Sequence, residues 1–394
     1  MKPTWSADTA TLKLESVCPA ASDPNHVLVI GAGLAGAAVA NALAERGSAV
    51  TVLEASATPA AGASGNPRAV IRPVLARTHK DPIAHFYSAA ARFASQYLDA
   101  RPLPDLDCVV GAHVEHSQPK QLDTHGHRVE ILDRAAASHR LGIPAQPGIF
   151  LHDAITLSPK RLCLGLLAHP RIRLQRATAV AALERSERLW AATGGDGRCL
   201  GRAPTVVAAN GPALTRLLPA FSQFLHTTIG ASLLAKPADD GAVPQASLLG
   251  DTSLSPIGHA IAVYGGHWRG TPSTAHAREQ LLRSHNCIAR DTAPLTLATR
   301  LHTPDRLPMV GAVPRVQETL AKLAPLRHGV MPAQDACFEP DLYLIGALGG
   351  RGVTSALYCA HMLSNAIHGQ AGELPSTLHP LRFLLRALRR NRIG

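Results

Sequence analysis

Short continuous apolar runs alternate along this chain with stretches spaced for helix. Val27–Ile30 is apolar and β-branched, the pattern of a buried strand. The Ala-rich stretch after it runs to Arg46 and stops at Gly47, which predicts a helix. Ala49–Leu53 predicts the next strand, with Glu54 at its end. TVVAANG (Thr205–Gly211) reads as a strand running into Asn-Gly, and LQRATAVAAL (174–183) as another strand. DLYLIGALGGRGVTSALYCAHML (Asp341–Leu363) reads as strand, glycine loop and helix. APLTLATR, ending at Arg300, is strand-like. Near the end, Leu381, Leu384, Leu385 and Leu388 fall at i, i+3, i+4 and i+7, one face of a short helix. The Pro- and His-rich stretch 101–148 has no readable period, and there is no internal repeat.

The glycines give the first strand–helix–strand unit a chemistry. Gly31, Gly33 and Gly36 form G-x-G-x-x-G directly after the strand. In that motif the first glycine permits a tight turn and the second lets the backbone approach a pyrophosphate. The third lets the helix pack close to the sheet. The helix N-terminus adds a partial positive charge facing the phosphates. Ala32, Leu34 and Ala35 complete the loop. Glu54, 21 residues after Gly33, stands where a carboxylate accepts ribose hydroxyls, and it disfavours a 2′-phosphate. Ala63, Ser64, Gly65 and Asn66 form a small-residue loop whose amides could reach the same ligand. The glycine loop at Gly349, Gly350 and Gly352, with Val353 opening a helix, aims a second helix N-terminus at it. The chain thus leaves a nucleotide fold and returns to it, as flavin oxidoreductases do.

Composition changes this picture in few places. The 394 residues are 46% hydrophobic, enough for a full core, and no apolar run approaches membrane-spanning length. Residues 1–25 lack an apolar stretch, so a signal peptide is not expected, and they read as a disordered leader. The seven cysteines are odd in number and contain no CxxC pair, which argues against a disulfide framework or zinc site and fits a reducing cytoplasm. The net charge of +11 suits an anionic partner, although 32 of the 39 basic residues are Arg, a skew that base composition alone produces. Aromatic residues are only 4%, so a stacking surface for single-stranded RNA is not expected.

In order, GAGLAG, Glu54, GASGN, VVAANG, TPDRLPMVG and GALGGRG resemble the D-amino-acid-oxidase-like FAD oxidoreductases. Within them, three stretches are similar to the oxidoreductase half of the bifunctional tRNA-modifying MnmC family. These are GASGNPRAVIRPVLARTHKD (62–81), RLHTPDRLPMVGAVP (300–314), and GALGGRGVTSA with LHPLRFLLRALRR (346–356 and 378–390). The resemblance covers residues 26 to 390. It implies an α/β fold, a Rossmann-like FAD-binding domain interleaved with an α+β substrate domain holding an antiparallel sheet. The expected division is a FAD-binding domain at 26–75, 150–215 and 335–375, a substrate domain at 76–149 and 216–334, and a basic helical tail at 376–394.

The same resemblance implies FAD as cofactor and the wobble uridine of tRNA as substrate. A 5-carboxymethylaminomethyl group, with or without 2-thiolation of the uridine, would lose its carboxymethyl part and become 5-aminomethyl. The leading 25 residues are too few for a methyltransferase, so the oxidase alone, or a fragment of a bifunctional protein, is expected, with a separate tRNA methyltransferase as a candidate partner. Arg300 matches the superfamily's carboxylate-binding arginine, Arg351 would lie near the flavin ring, and a valine matching Val180 contacts adenine through its backbone. Gly211 belongs to the same cofactor set. Where the family places tyrosines, this chain has Ser253 and His267, and HTTIGASL (226–233) keeps only the glycine of an Arg-Gly-Gln segment. His267 remains a candidate hydrogen-bond donor to substrate. These departures keep open a free glycine- or sarcosine-type amine as substrate, and an inactive FAD-fold RNA-binding protein. The tail carries five arginines from Arg382 to Arg392, those at 382, 386, 389 and 390 largely off the leucine face. With the resemblance it reads first as a tRNA-phosphate contact, then as a solvated helix, and last as an anionic-membrane contact.

Overall fold

The computed structural model describes residues 25–76, 78, 80–103, 105–115, 123–236, 242–283, 291–292, 294–330, 332–370 and 374–390. A six-stranded sheet runs in the order Met309–Pro314, Phe338–Gly346, Thr205–Ala208, His26–Ile30, Ala49–Leu53, Ile172–Gln175. The first pair is antiparallel and the others are parallel. Parallel strands need crossovers that lie on the sheet faces. The helix Leu34–Glu45 supplies the first crossover, and the helix Gly352–Ile367 packs beside it. Buried Gly36, Ala37, Ala38, Ala40 and Ala44 keep the first helix thin enough to sit close to both neighbours. The opposite face is covered by a three-stranded antiparallel sheet, Ala182–Ser186, Leu189–Thr193 and Cys199–Ala203. It packs Trp190, Ala192 and Ala203 against Leu28, Ile30 and Leu53.

The second large sheet has ten strands and is almost wholly antiparallel. Its path runs Asp291–Thr292, His226–Lys236, Ala260–Trp268, Thr252–Ile257, Ser247–Leu249, Val109–Glu115, Gly148–Leu157 and Ala69–Ile71. Thr296–His302 pairs along His226–Lys236, and Val129–Leu132 along Gly148–Leu157. The architecture is therefore the α/β class expected from the sequence, a nucleotide-type sheet joined to an antiparallel one. The stretch 174–183 differs from its reading as one strand. Ile172–Gln175 ends a strand of the six-stranded sheet, Ala177 takes a positive φ of 53°, and Ala182–Ser186 begins the small sheet. The left-handed residue breaks the extended run that the apolar pattern suggests. Among the described cysteines, Cys108, Cys163, Cys337 and Cys359 are free. No helix among the described residues is long and apolar enough to cross a membrane, and no cluster of His, Cys, Asp and Glu among them could hold a metal ion.

The tail forms a helix, Leu381–Arg389, whose leucine face is docked. Leu384 and Leu388 are fully buried against Leu320 and Leu323 of the segment that contains the helix Val316–Lys322. This use of the leucines removes the apolar face that membrane contact would need. The arginines depart from the expected pattern. Arg382 is only 9% exposed and faces inward. Its Nε and Nη2 donate to Asp305 at 3.0 and 3.1 Å, and Arg386 Nη2 donates to the same carboxylate at 3.2 Å. Arg382 also donates to the carbonyls of Leu378 and Leu307. Only Arg389 and Arg390 stand exposed among the described tail arginines. Gly311, at φ +133°, makes room for the tail as well, since a Cβ there would lie 2.7 Å from His379 Cδ2. Burial and the adjacent Arg382 push His379 down to about 4, so its ring is neutral at pH 7.

Burial opposes the charge of Asp305, yet hydrogen bonds and charge from Arg382, with Thr303 and the Leu307 amide, hold its carboxyl below the usual range. Asp305→Asn removes one partner of a largely buried pair and should destabilise the fold by about 3 kcal/mol in urea melts at pH 7. A carboxyl depressed in the folded state stabilises above the unfolded carboxylate value, and that contribution is lost as pH falls through the folded value. The variant's deficit should therefore shrink below about pH 4, measured as the gap between paired thermal melts.

Candidate cofactor and substrate site

A cavity of about 1380 Å³ opens between the two large sheets. One side is built from the carboxyl ends of the parallel strands, at Ile30, Leu53, Ala209 and Ile345. Ligands of open α/β sheets bind at this edge. The other side comes from the antiparallel sheet, at Leu249, Thr252, Ser253, Gly265 and Thr299.

At the first end, local chain geometry explains the glycines. Gly31 turns at φ +101°, and a Cβ there would meet Ala209 O at 2.8 Å. A Cβ at Gly36 would fall 1.8 Å from Gly31 O, so only glycine lets the helix start against the turn. No side chain caps the helix at Gly33. Ser64 Oγ accepts from Leu34 N–H at 2.9 Å, which ties the GASGN loop to the helix start. The first-turn amides beyond Leu34 present the helix dipole to the cavity. Glu54 is 9% exposed and its two oxygens accept from the Ala32 and Ser56 amides at 2.7 and 2.8 Å. Those bonds hold the carboxylate at the cavity wall and leave lone pairs for a ligand's hydroxyls.

The residues singled out from the sequence fall in two layers. Gly31, Gly33, Leu34, Ala35, Glu54, Ala63, Ser64, Asn66, Val180, Gly211, Gly349, Gly350, Gly352 and Val353 line the cavity. Ala32, Gly36 and Gly65 stand behind that lining, Gly65 so close to Ala60 O that a Cβ would lie 2.7 Å from it.

At the second end, Arg300 lies in the strand Thr296–His302 and lines the cavity. A bridge between His302 and Leu348 brings this strand against the Gly349–Gly352 loop. The guanidinium of Arg300 lies over Gly230, where a Cβ would meet Nη2 at 2.5 Å. Gly230 is the one glycine kept in HTTIGASL, and a side chain there would push the Arg300 guanidinium from this position. Arg351 also lines the cavity, with its Cζ 5.3 Å from the centroid of the Tyr87 ring. Burial, with the nearby Arg306, pushes its guanidinium below the usual arginine range. Ser253 is nearly buried on the cavity wall. His267 belongs to the strand Ala260–Trp268, and its side chain lies outside the described residues.

Several lining residues were not singled out from the sequence. Arg68, Arg72, Glu115, Asn210, Arg216 and Asp251 all reach the cavity. Arg68 is 2% exposed and is spent on the fold, donating to the Asp107 carboxylate and to Pro256 O. Arg68 and Arg72 sit inside the GASGNPRAVIRPV stretch, so a cation close to a glycine loop was the available signal. Sequence alone does not separate a cation facing a ligand from one that braces a strand.

Residues 26–366 match the family described as DAO, FAD dependent oxidoreductase. The chain belongs to that family. It is 30% identical over 94% of its length to the tRNA 5-methylaminomethyl-2-thiouridine biosynthesis bifunctional protein MnmC of Aromatoleum aromaticum. It is 31% identical over 94% to the protein of the same name from Burkholderia cenocepacia. The chain spans 62% of the length of these curated relatives. In fold it is similar to glycine oxidase from Geobacillus kaustophilus, with a TM-score of 0.69, 16% identity and coverage of 90% of this chain and 98% of that one. It is also similar to Amadoriase I from Aspergillus fumigatus, with a TM-score of 0.73, 15% identity and coverage of 96% and 93%.

FAD is the cofactor of the DAO family, and the site suits it. The Gly31–Gly36 approach leaves room for a pyrophosphate beside a helix start, Glu54 is held ready for ribose hydroxyls, and the cavity extends on to a second glycine loop. Gly36→Ala should purify with less than about a tenth of the wild-type flavin content, read from the 450 nm to 280 nm absorbance ratio, because the added Cβ forces helix and turn apart.

Proposed function

We propose that this protein oxidises an N-substituted glycine, the 5-carboxymethylaminomethyl group of the tRNA wobble uridine with or without 2-thiolation, to leave 5-aminomethyluridine. The observation that carries the reading is Arg300, a guanidinium on the cavity wall beside the Gly349–Gly352 loop. Its planar fork suits a substrate carboxylate. FAD, held by the Gly31–Gly36 turn and Glu54, would supply a two-electron acceptor for the C–H bond between nitrogen and carboxylate, with oxygen as its reoxidant under aerobic conditions; hydrolysis of the oxidised C–N bond would give glyoxylate and the aminomethyl group. The chain's own part is orientation and electrostatics. Arg300 would hold the carboxylate so that this carbon faces the cofactor. The amides around Gly349–Gly352 and the start of the helix Gly352–Ile367 would favour negative charge beside them. The interleaved division into a FAD-binding domain and a substrate domain belongs to this proposal.

The likeness to MnmC over 94% of the chain supports tRNA as the carrier of the amine. Exposed Arg389 and Arg390, with Lys322 on the neighbouring helix, are cations on a docked, ordered surface that suits phosphates. A cytoplasmic location goes with this reading, as does a separate tRNA methyltransferase partner. The second reading is a free glycine- or sarcosine-type amine. Ser253 on the cavity wall, where the family's tyrosine is missing, favours it, as does the fold likeness to glycine oxidase. Family membership and the glycine fit at Gly31 and Gly36 speak against an inactive RNA-binding role.

Nucleoside mass spectrometry of tRNA bearing the carboxymethylaminomethyl group, before and after aerobic incubation with the FAD-loaded protein, tests the two. Conversion to the aminomethyl form supports the tRNA reading, and turnover of sarcosine alone supports the second. Arg300→Met should raise KM for whichever substrate turns over by about 100-fold, since a charge-assisted carboxylate contact is worth roughly 3 kcal/mol. Replacing Arg389 and Arg390 together by Glu should weaken tRNA binding and reduce its salt dependence by about one slope unit per lost phosphate contact, with sarcosine turnover unaffected.

A further inference from the structure

Arg351 keeps unusual company for a cation at a cavity wall. Its Nε is buried without a hydrogen-bond partner, and it forms no ion pair with a carboxylate among the described residues. The guanidinium instead rests on the face of Tyr87, Cζ 5.3 Å from the ring centroid. Tyr87 comes from the helix Pro82–Ala100 and is 2% exposed. Its hydroxyl donates to the Arg306 carbonyl at 3.0 Å. Arg306 follows Asp305, the carboxylate that Arg382 and Arg386 of the tail helix grip. The ring is thus held at one end by its own helix and at the other by a segment anchored to the tail.

This arrangement has an electrostatic consequence. A carboxylate beside Arg351 would cancel its charge, whereas an aromatic face attracts a cation and leaves the charge intact. We infer that Tyr87 is a positioning residue, holding Arg351 as an un-neutralised cation at the cavity wall, where it favours negative charge on the reduced flavin. The inference rests on the reading that the Gly349–Gly352 loop faces the flavin. It also gives the docked tail a role besides contact with a partner, because the tail fixes the carbonyl that holds Tyr87.

The test is the midpoint potential of the bound flavin, measured by dye-coupled reductive titration of the holoenzyme, with flavin content checked for each variant. Arg351→Met should lower the potential by about 30 mV or more, a tenfold change in the two-electron equilibrium. Tyr87→Leu should reproduce at least half of that shift with Arg351 still in place. Tyr87→Met, unbranched and better able to fill an irregular gap, serves as the second variant should the leucine change impair folding. Tyr87→Phe keeps the ring and should stay within a third of the shift. A wild-type potential in both the Leu and Met variants, alongside a lowered one in Arg351→Met, overturns the positioning role. A full shift in Tyr87→Phe overturns the ring as the holding element. An unchanged potential in Arg351→Met overturns the reading that this loop faces the flavin.

Discussion

The architecture depends on one close approach of backbone to backbone. The helix Leu34–Glu45 begins so near the turn after the first strand that a Cβ at Gly36 would overlap Gly31 O at 1.8 Å. That contact sets the helix axis, brings its N-terminus to the edge of the parallel sheet, and opens the cavity there. The Ala-rich helix, the packing of Gly352–Ile367 beside it and the Glu54–Ala32 bond all presuppose the same short distance. Glycine is the only residue that permits it, which is why three glycines carry so much of the reading.

A second constraint closes the molecule. Asp305 accepts from Arg382 and Arg386, and the Val310 amide donates to Leu378 O at 2.9 Å. These contacts join two stretches, TPDRLPMVG and LHPLRFLL, that lie about seventy residues apart in the chain. Each stretch looks like an isolated motif in the sequence. In the fold they are two halves of one buried ion-pair arrangement, with Gly311 vacated to seat His379. A buried pair of this kind costs desolvation and is stable only because Thr303, the Leu307 amide and nearby carbonyls complete its hydrogen bonds.

The pocket combines an old frame with altered furniture. The nucleotide end carries every glycine the motif asks for. The end facing the antiparallel sheet has Arg300 over Gly230 and Ser253 on the wall, a roomier lining than a tyrosine would leave. The cations at this end differ in how they are treated. Arg68 is consumed by Asp107, while Arg351 rests on Tyr87 and keeps its charge. Electrostatics in such a site depends on the partner of each arginine more than on the number of arginines.

What the sequence by itself determined is local. The strand–glycine–helix–strand unit from His26 to Leu53 follows from neighbouring residues, because turn geometry, helix packing and strand pattern act within one or two turns of chain. The leucine face of the tail was legible for the same reason, and it is docked as its spacing suggests. The fate of the tail arginines was not legible, since Asp305 lies 77 residues from Arg382 and only folding brings them together. The break at Ala177 was hidden as well, because an apolar pattern does not reveal one left-handed residue. The seat of Arg300 on Gly230 and of Arg351 on Tyr87 belongs to tertiary structure alone. Charge is written in the sequence, but whether a charge is cancelled, buried or presented depends on which distant groups the fold sets against it.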